Sequence, residues 1–245
     1  MKIAVLMWFD DAVSYYGRNC YKINKAYCDK YDYDLIKSSI RTYGDKHYGT
    51  VPPRSPHWER FPLILKHIEK YDYIVWMDAD AYFYFDSPRI EKIINEYDNK
   101  EILFSADHSQ LSPPAINSGV LILKNTQRVI NIVNKWAYSE DLKNKYCGSK
   151  YQNGVLCPKI NWIEDQGLIR GFVKDNVDDI NSISKIIPYL RLQHFLPAEK
   201  KALVNLKNQP YIIHFAGNPD VRYKQSRHYL RLLQEKGLVP LESMP

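Results

Sequence analysis

The chain has 245 residues, 45% of them hydrophobic and 25% charged, with a formal net charge of +6. That is an ordinary globular composition with ample length for a substantial core, and the interspersed charge suits an anionic small ligand rather than a nucleic acid. No window reaches eighteen apolar residues, which excludes a membrane-spanning helix. Cys20, Cys28, Cys147 and Cys157 form no CxxC pair and no zinc spacing, so free thiols are expected.

Taken in order, Lys2 to Phe9 reads as a buried strand ending in Asp10-Asp11. Met1 leads straight into it, so the chain as given carries neither signal peptide nor anchor. A soluble, cytoplasmic protein is expected, or a Golgi or secretory one if an anchor has been removed. Tyr15 to Lys30 has helical spacing through Ile23, Ala26 and Tyr27, and Leu35-Ile36 follows as a strand: a βαβ opening. Arg41 to Pro56 is a long loop of the kind that is often functional. Trp58 to Glu69 is a helix with Pro62 in its first turn.

Tyr73 to Met77 is an unbroken apolar run, suited to a strand buried on both faces. Asp78 and Asp80 follow it, separated by Ala79. Ligands in open α/β sheets sit outside the carboxyl ends of strands, so a site belongs here. In extended chain the two carboxylates would stand roughly 6.6 Å apart. The chain must therefore turn, or a water must bridge one of them to a shared metal. As a strand-end carboxylate outside the core, Asp80 is expected to contribute little to stability.

Ser87 is expected to cap a helix from Arg89 to Tyr97. Ile102 to Phe104 is a strand ending near Asp107, and a loop through Pro113 and Pro114 leads to the strand Asn117 to Leu123. Thr126 to Tyr138 is a helix. Lys143 to Trp162 has no clear periodicity and reads as a lid or acceptor-side insertion. Glu164-Asp165-Gln166-Gly167 opens a short helix to Phe172, and Ile183 to Leu192 holds a short strand. Tyr211 to Phe215 is a final buried strand closed by Gly217, and Arg222 to Glu235 is a basic helix stopped by Gly237. With no internal repeats, residues 1–245 are expected to form one α/β domain.

Four element ends thus carry polar residues: Asp78 with Asp80; Asp107 with Asn117-Ser118-Gly119; Asp165 with Gln166; and His214 with Gly217. Beside what the motif order suggests, two other readings stand: a metal-dependent phosphodiesterase or nuclease, and a non-catalytic nucleotide-sugar or glycan-binding protein. The nuclease lacks the dense Asp/Glu/His set that two-metal chemistry needs.

The order of these motifs resembles the GT-A glycosyltransferases, most closely the galactosyl/xylosyltransferase family of the yeast α-mannan galactosyltransferase and plant xyloglucan xylosyltransferase type. Glycogenin-like retaining transferases share the later motifs more loosely. The resemblance runs through Asn24-Lys25 with Tyr27, Trp58-Glu59-Arg60, Trp76 to Ala81, Asn117 to Leu123, Asp165-Gln166 and His214 to Gly217. It implies a mixed, mostly parallel Rossmann-like sheet flanked by helices, residues 1–125 holding the nucleotide sugar and 126–245 forming the acceptor side.

The resemblance further implies a retaining enzyme that moves galactose, xylose, glucose or a similar sugar from a UDP-sugar to a hydroxyl of a glycan, glycoprotein or small acceptor. Asp78, Asp80 and His214 would bind Mn²⁺, with Mg²⁺ as the alternative; carboxylate oxygens and one imidazole suit such a cation. Trp8, Phe9, Arg60, Ala79, Gly217 and Lys224 would contact the nucleotide. Asp107, Asn117, Ser118 and Gly119 would contact the donor sugar, and Asp165 with Gln166 would act at the anomeric carbon. Two departures stand out. Relatives generally carry lysine at the position of Arg60, and they carry a lysine soon after the final glycine, where this chain has Asn218-Pro219-Asp220 and then Arg222 and Lys224.

Overall fold

The computed structural model describes residues 1–43, 55–107, 115–147, 165–195, 211–215 and 218–240, with the backbones of two short strands between 151 and 156. Strands β1 (Ile3–Trp8), β2 (Asp34–Ser38), β3 (Tyr73–Met77), β5 (Ile102–Ala106), β6 (Ile116–Lys124) and β9 (Ser184–Ile187) form one sheet in the order β2-β1-β3-β6-β5-β9. β1 pairs in parallel with β2 and β3, and β5 with β9, while β6 runs against both its neighbours. The sheet is mixed, with only β6 reversed, as the sequence resemblance implied.

Alternation along the strands divides the core into two layers. Ile3, Val5 and Met7 of β1 join Tyr73, Val75 and Met77 of β3 on one face. Ala4, Leu6 and Trp8 join Ile74 and Trp76 on the other. Helices α1 (Ser14–Tyr31), α3 (Glu91–Glu96) and α8 (Pro219–Glu235) cover the first face. Helices α2 (Arg60–His67), α4 (Gln127–Tyr138), α5 (Glu140–Cys147), α6 (Asp165–Lys174) and α7 (Ile180–Ile183) cover the second.

The helices follow local chemistry. In α4, Val129, Ile132, Val133 and Trp136 recur at helical spacing and are buried. Thr126 caps that helix, its Oγ1 accepting from Val129 N at 3.2 Å. α1 ends at Asp32, whose φ of 60° lets Tyr33 N reach back to Cys28 O at 3.0 Å. Gly237, just past α8, has φ 68° and fits the stop read from sequence.

Several segments differ from expectation. Ser87 does not cap α3: its hydroxyl donates to Tyr84 O at 2.5 Å, and the residue before the helix is Ile90, with no side-chain cap. The tyrosines of α1 account for this, because Tyr27 and Tyr31 donate to the carbonyls of Pro88 and Ser87 and hold 84–88 as a turn. Residues 143–147, read as aperiodic, belong to α5. A second sheet was not foreseen: β4 (Ala81–Phe83), β10 (Gln193–Phe195) and β11 (Ile212–His214), in the order β10-β11-β4. Of these three-residue strands only β11 was read from sequence, within Tyr211 to Phe215; β4 and β10 are too short for period-2 patterning to show. A two-stranded ribbon, β7 (Tyr151–Gln152) and β8 (Val155–Leu156), lies within the proposed insertion. Most of the Arg41–Pro56 loop, residues 157–164 and Gly217 lie outside the described residues.

Candidate active site

The site is set where β3 ends. Asp78 N donates to Gly119 O at 2.8 Å, and Ala81 N closes a turn on Asp78 O at 3.0 Å. The chain therefore turns between the two aspartates instead of remaining extended. It then enters β4, whose Ala81 pairs with His214 of β11. Asn24, fully buried in α1, pins this strand: its Nδ2 donates to Ala81 O at 3.1 Å and its Oδ1 accepts from Phe83 N at 2.8 Å. An amide is the side chain that satisfies both a carbonyl and an N–H at once. In the sequence Asn24 stands out only as part of a motif; its work is to fix the chain immediately after Asp80.

Asp78, Asp80 and His214 come together so that one ligand atom from each lies within 4.8 Å of the others. Asp78 is oriented by two donors on the same oxygen: Trp76 Nε1 at 2.9 Å and Arg60 Nη2 at 3.1 Å both reach Oδ1. Its Oδ2 is then the oxygen available to a cation. Asp80 Oδ1 lies 3.1 Å from His214 Nε2, and its Oδ2 lies 3.1 Å from Arg222 Nε.

Asp80 is only 6% exposed, which corrects the reading of it as a carboxylate outside the core. Burial alone would push its pKa up, but His214 and Arg222 outweigh burial and hold it below the ordinary carboxylate value. Burial likewise acts to lower the pKa of His214, and the Asp80 carboxylate overrides it and raises it. Tyr16, partly buried and near Asp80, is pushed up to about 12.

Gly119 is explained by His214. A β-carbon built on Gly119 would lie 2.3 Å from His214 Cε1 and 3.0 Å from Asn117 Oδ1. The histidine ring occupies the space that the missing side chain leaves, so the glycine serves the approach of β11 to β6. Asn117 Oδ1 also accepts from Gly119 N at 2.9 Å, closing the Asn-Ser-Gly segment on itself.

A second cluster lies beside the first. Arg60, 1% exposed, places Nε 2.9 Å from Asp165 Oδ2, donates from Nε to His57 O at 2.9 Å, and bonds the Ser118 carbonyl through Nη1. Together with Nη2 on Asp78, its guanidinium joins the end of β3, the start of β6 and the start of α6. Gln166 Oε1 accepts from Ser118 N at 2.9 Å, and Ser118 Oγ lies 3.4 Å from Asp165 Oδ2. Asp165 is 2% exposed and half-buried Gln166 is its helical neighbour.

The other sequence candidates are placed as follows. Trp8, Ala79, Arg60 and Arg222 line one cleft with Asp78, Asp80, His214, Asp10 and Tyr16. Phe9 is buried against Gly17, with the Lys37 ammonium over its ring. Lys224 is exposed on α8 and is not among the cleft residues. Asp107 is salt-bridged to Arg170 of α6, whose Nε also donates to Ile116 O at 2.7 Å. It lies outside that cleft. Arg222 and Trp76 join the site without having been singled out as site residues. For Arg222 the signal was the missing lysine.

Among the described residues no helix is long and apolar enough to cross a membrane. No curated protein matches the chain by sequence. Among solved structures, the chain is similar to a glycosyltransferase involved in glycosylation of the major capsid of PBCV-1, at 15% identity over 93% of this chain and 100% of that one, with TM-score 0.66. It is similar to the galactosyltransferase LgtC in complex with donor and acceptor sugar analogs, at 12% identity over 99% and 97%, with TM-score 0.55. It is also similar to mouse xyloside xylosyltransferase 1, at 11% identity over 89% and 99%, with TM-score 0.53. At these identities the likeness is one of fold, and the fold is GT-A. The sequence profile of the nucleotide-diphospho-sugar transferases matches residues 8–227, nearly the whole chain, and it is to this family of glycosyltransferases that the protein belongs.

Proposed function

We propose that the protein is a retaining, Mn²⁺-dependent transferase that moves a hexose or pentose from a UDP-sugar to a hydroxyl acceptor. The observation that carries this reading is the convergence of Asp78, Asp80 and His214 within 4.8 Å, in the lining of a cleft they share with Trp8, Tyr16, Arg60 and Arg222. Two carboxylates and an imidazole fit Mn²⁺ and, less closely, Mg²⁺, which prefers an all-oxygen shell. Once bound there, the cation would neutralise the charge that develops on the leaving diphosphate.

The protein's own groups divide the remaining work. Arg60 fixes Asp78 and Asp165 relative to each other through one buried guanidinium. Asp165 and Gln166 stabilise positive charge at the anomeric carbon, and Ser118 N holds the Gln166 amide oxygen in place. Residues 1–125 supply Asp78, Asp80 and Arg60 and residues 126–245 supply Asp165, His214 and Arg222, so both halves serve the donor, and the resemblance assigns the acceptor side to 126–245. The retaining stereochemistry follows the resemblance to retaining families.

The test is to incubate the protein with Mn²⁺ and a panel of nucleotide sugars and watch for released nucleotide. Release from a UDP-sugar that stops in excess chelator is the expected result. Full activity in chelator would sink the metal assignment. An α-linked donor yielding a β-linked product, read by NMR, would recast Asp165 as a base.

A further inference from the structure

Arg222 faces a carboxylate that the proposed function reserves for a metal. Asp80 is buried, and its two oxygens are both occupied by protein: Oδ1 by His214 and Oδ2 by Arg222. A buried carboxylate without compensating charge is costly, so some cation must stand beside Asp80 whether or not a metal is bound. The contact with Arg222 is close but loosely directed: Nε lies 3.1 Å from Oδ2 without the alignment of a hydrogen bond. The guanidinium side chain is 27% exposed and rests on Tyr16, whose hydroxyl accepts from Nη1 at 3.2 Å and whose ring centre is 5.6 Å from Cζ. Arg222 is therefore held by a tyrosine, not by Asp80 alone, and can leave the carboxylate without leaving the cleft.

We propose that Arg222 is a stand-in cation. It neutralises Asp80 while the site holds no metal, and it passes to the donor's diphosphate when a divalent cation takes its place. This rests on the metal-site reading above. A dication held by Asp78, Asp80 and His214 repels the neighbouring guanidinium and removes its reason to face Asp80. The diphosphate brings negative charge to the same cleft, and the planar guanidinium matches phosphate oxygens in pairs. Lys224 cannot take this part from the same helix. Two residues along an α-helix are about 200° apart, and Lys224 is exposed and outside the cleft.

The exchange predicts opposite effects of one substitution. In titration calorimetry on chelator-treated protein, Arg222→Gln should bind Mn²⁺ alone about tenfold more tightly than the unaltered protein, because a competing positive charge is gone. The Mn²⁺-saturated variant should bind UDP about tenfold more weakly, having lost a charge-assisted contact. Lys224→Gln should change neither.

Unchanged or weaker Mn²⁺ binding by a folded Arg222→Gln would overturn the stand-in role, even if UDP binding fell. Should Arg222→Gln fail to fold, as read by circular dichroism, Arg222→Lys keeps the charge on a shorter reach. It should then bind Mn²⁺ more tightly and UDP more weakly, each by less than tenfold, and an unchanged Mn²⁺ affinity would again overturn the role. No Mn²⁺ binding by the unaltered protein would fell the metal-site reading and this inference with it.

Discussion

Asp80 and Asp165 are both buried carboxylates facing an arginine, and the two arginines differ. Arg60, beside Asp165, is 1% exposed and has bonds to two carboxylates and two main-chain carbonyls. Arg222, beside Asp80, is partly exposed and meets its carboxylate without a well-aligned bond. One pair is locked and the other can open. The difference matches the tasks proposed for them: the Asp165 side must keep its geometry as charge develops on the sugar, whereas the Asp80 side must exchange partners to admit a cation.

The lock is tested most severely at Arg60. Arg60→Ala leaves buried Asp165 without its cation and the buried Ser118 carbonyl without its donor. Breaking a buried ion pair in this way costs about 3–5 kcal/mol, which for a chain of this size lowers the melting temperature by about 10 °C. A melting curve within two degrees of the unaltered protein would erase the distinction between the two ends.

Asp165→Asn keeps the shape and removes the charge. Turnover should fall about 10²–10³-fold, the range for losing one transition-state stabilising group, while UDP affinity stays level. Melting should drop less than for Arg60→Ala, because the guanidinium keeps Asp78 and both carbonyls. A comparable loss of UDP affinity would move Asp165 from the sugar to the nucleotide.

The opening end is probed by pH in the chelated protein. The pKa of Asp80 is lowered in the fold, so its stabilisation is present above the unfolded carboxylate value and is lost as pH falls through the folded one. The pKa of His214 is raised, so its stabilisation is full below the unfolded imidazole value and is lost as pH rises through the folded one. The pair therefore stabilises most between about pH 4 and 6.5. Asp80→Asn should cost about 1.5–3 kcal/mol in that window and less at pH 9, as His214 gives up its proton while Arg222 remains beside the carboxylate, measured by denaturant unfolding. An equal cost at both pH values would show that the pairing does not carry it.

The smallest effect is expected at Gly119. Gly119→Ala places a methyl where the His214 ring sits, so the ring must leave its present place beside Asp80. Mn²⁺ affinity should weaken about tenfold, roughly 1.4 kcal/mol, with the Arg60 cluster undisturbed. Unaltered metal binding would mean that His214 is not a ligand.

Much of this molecule is legible without coordinates. The run Tyr73 to Met77 announces a strand buried on both faces, because neighbours two apart on a strand must share an environment and all five residues suit one. The helix from Thr126 and the stop at Gly237 follow from a hydroxyl cap and a residue free to adopt positive φ. Asp78 and Asp80 stand at a strand end by their place in the chain alone. What tertiary structure decided is which partner each polar group has. His214 meets Asp80 across 134 residues, Arg60 joins Asp78 to Asp165 through one buried guanidinium, and Gly119 leaves room for the His214 ring. Local periodicity encodes which side of an element faces inward, since that depends on near neighbours. The partner waiting on that side is set by how separate elements dock, and no spacing within one element records it.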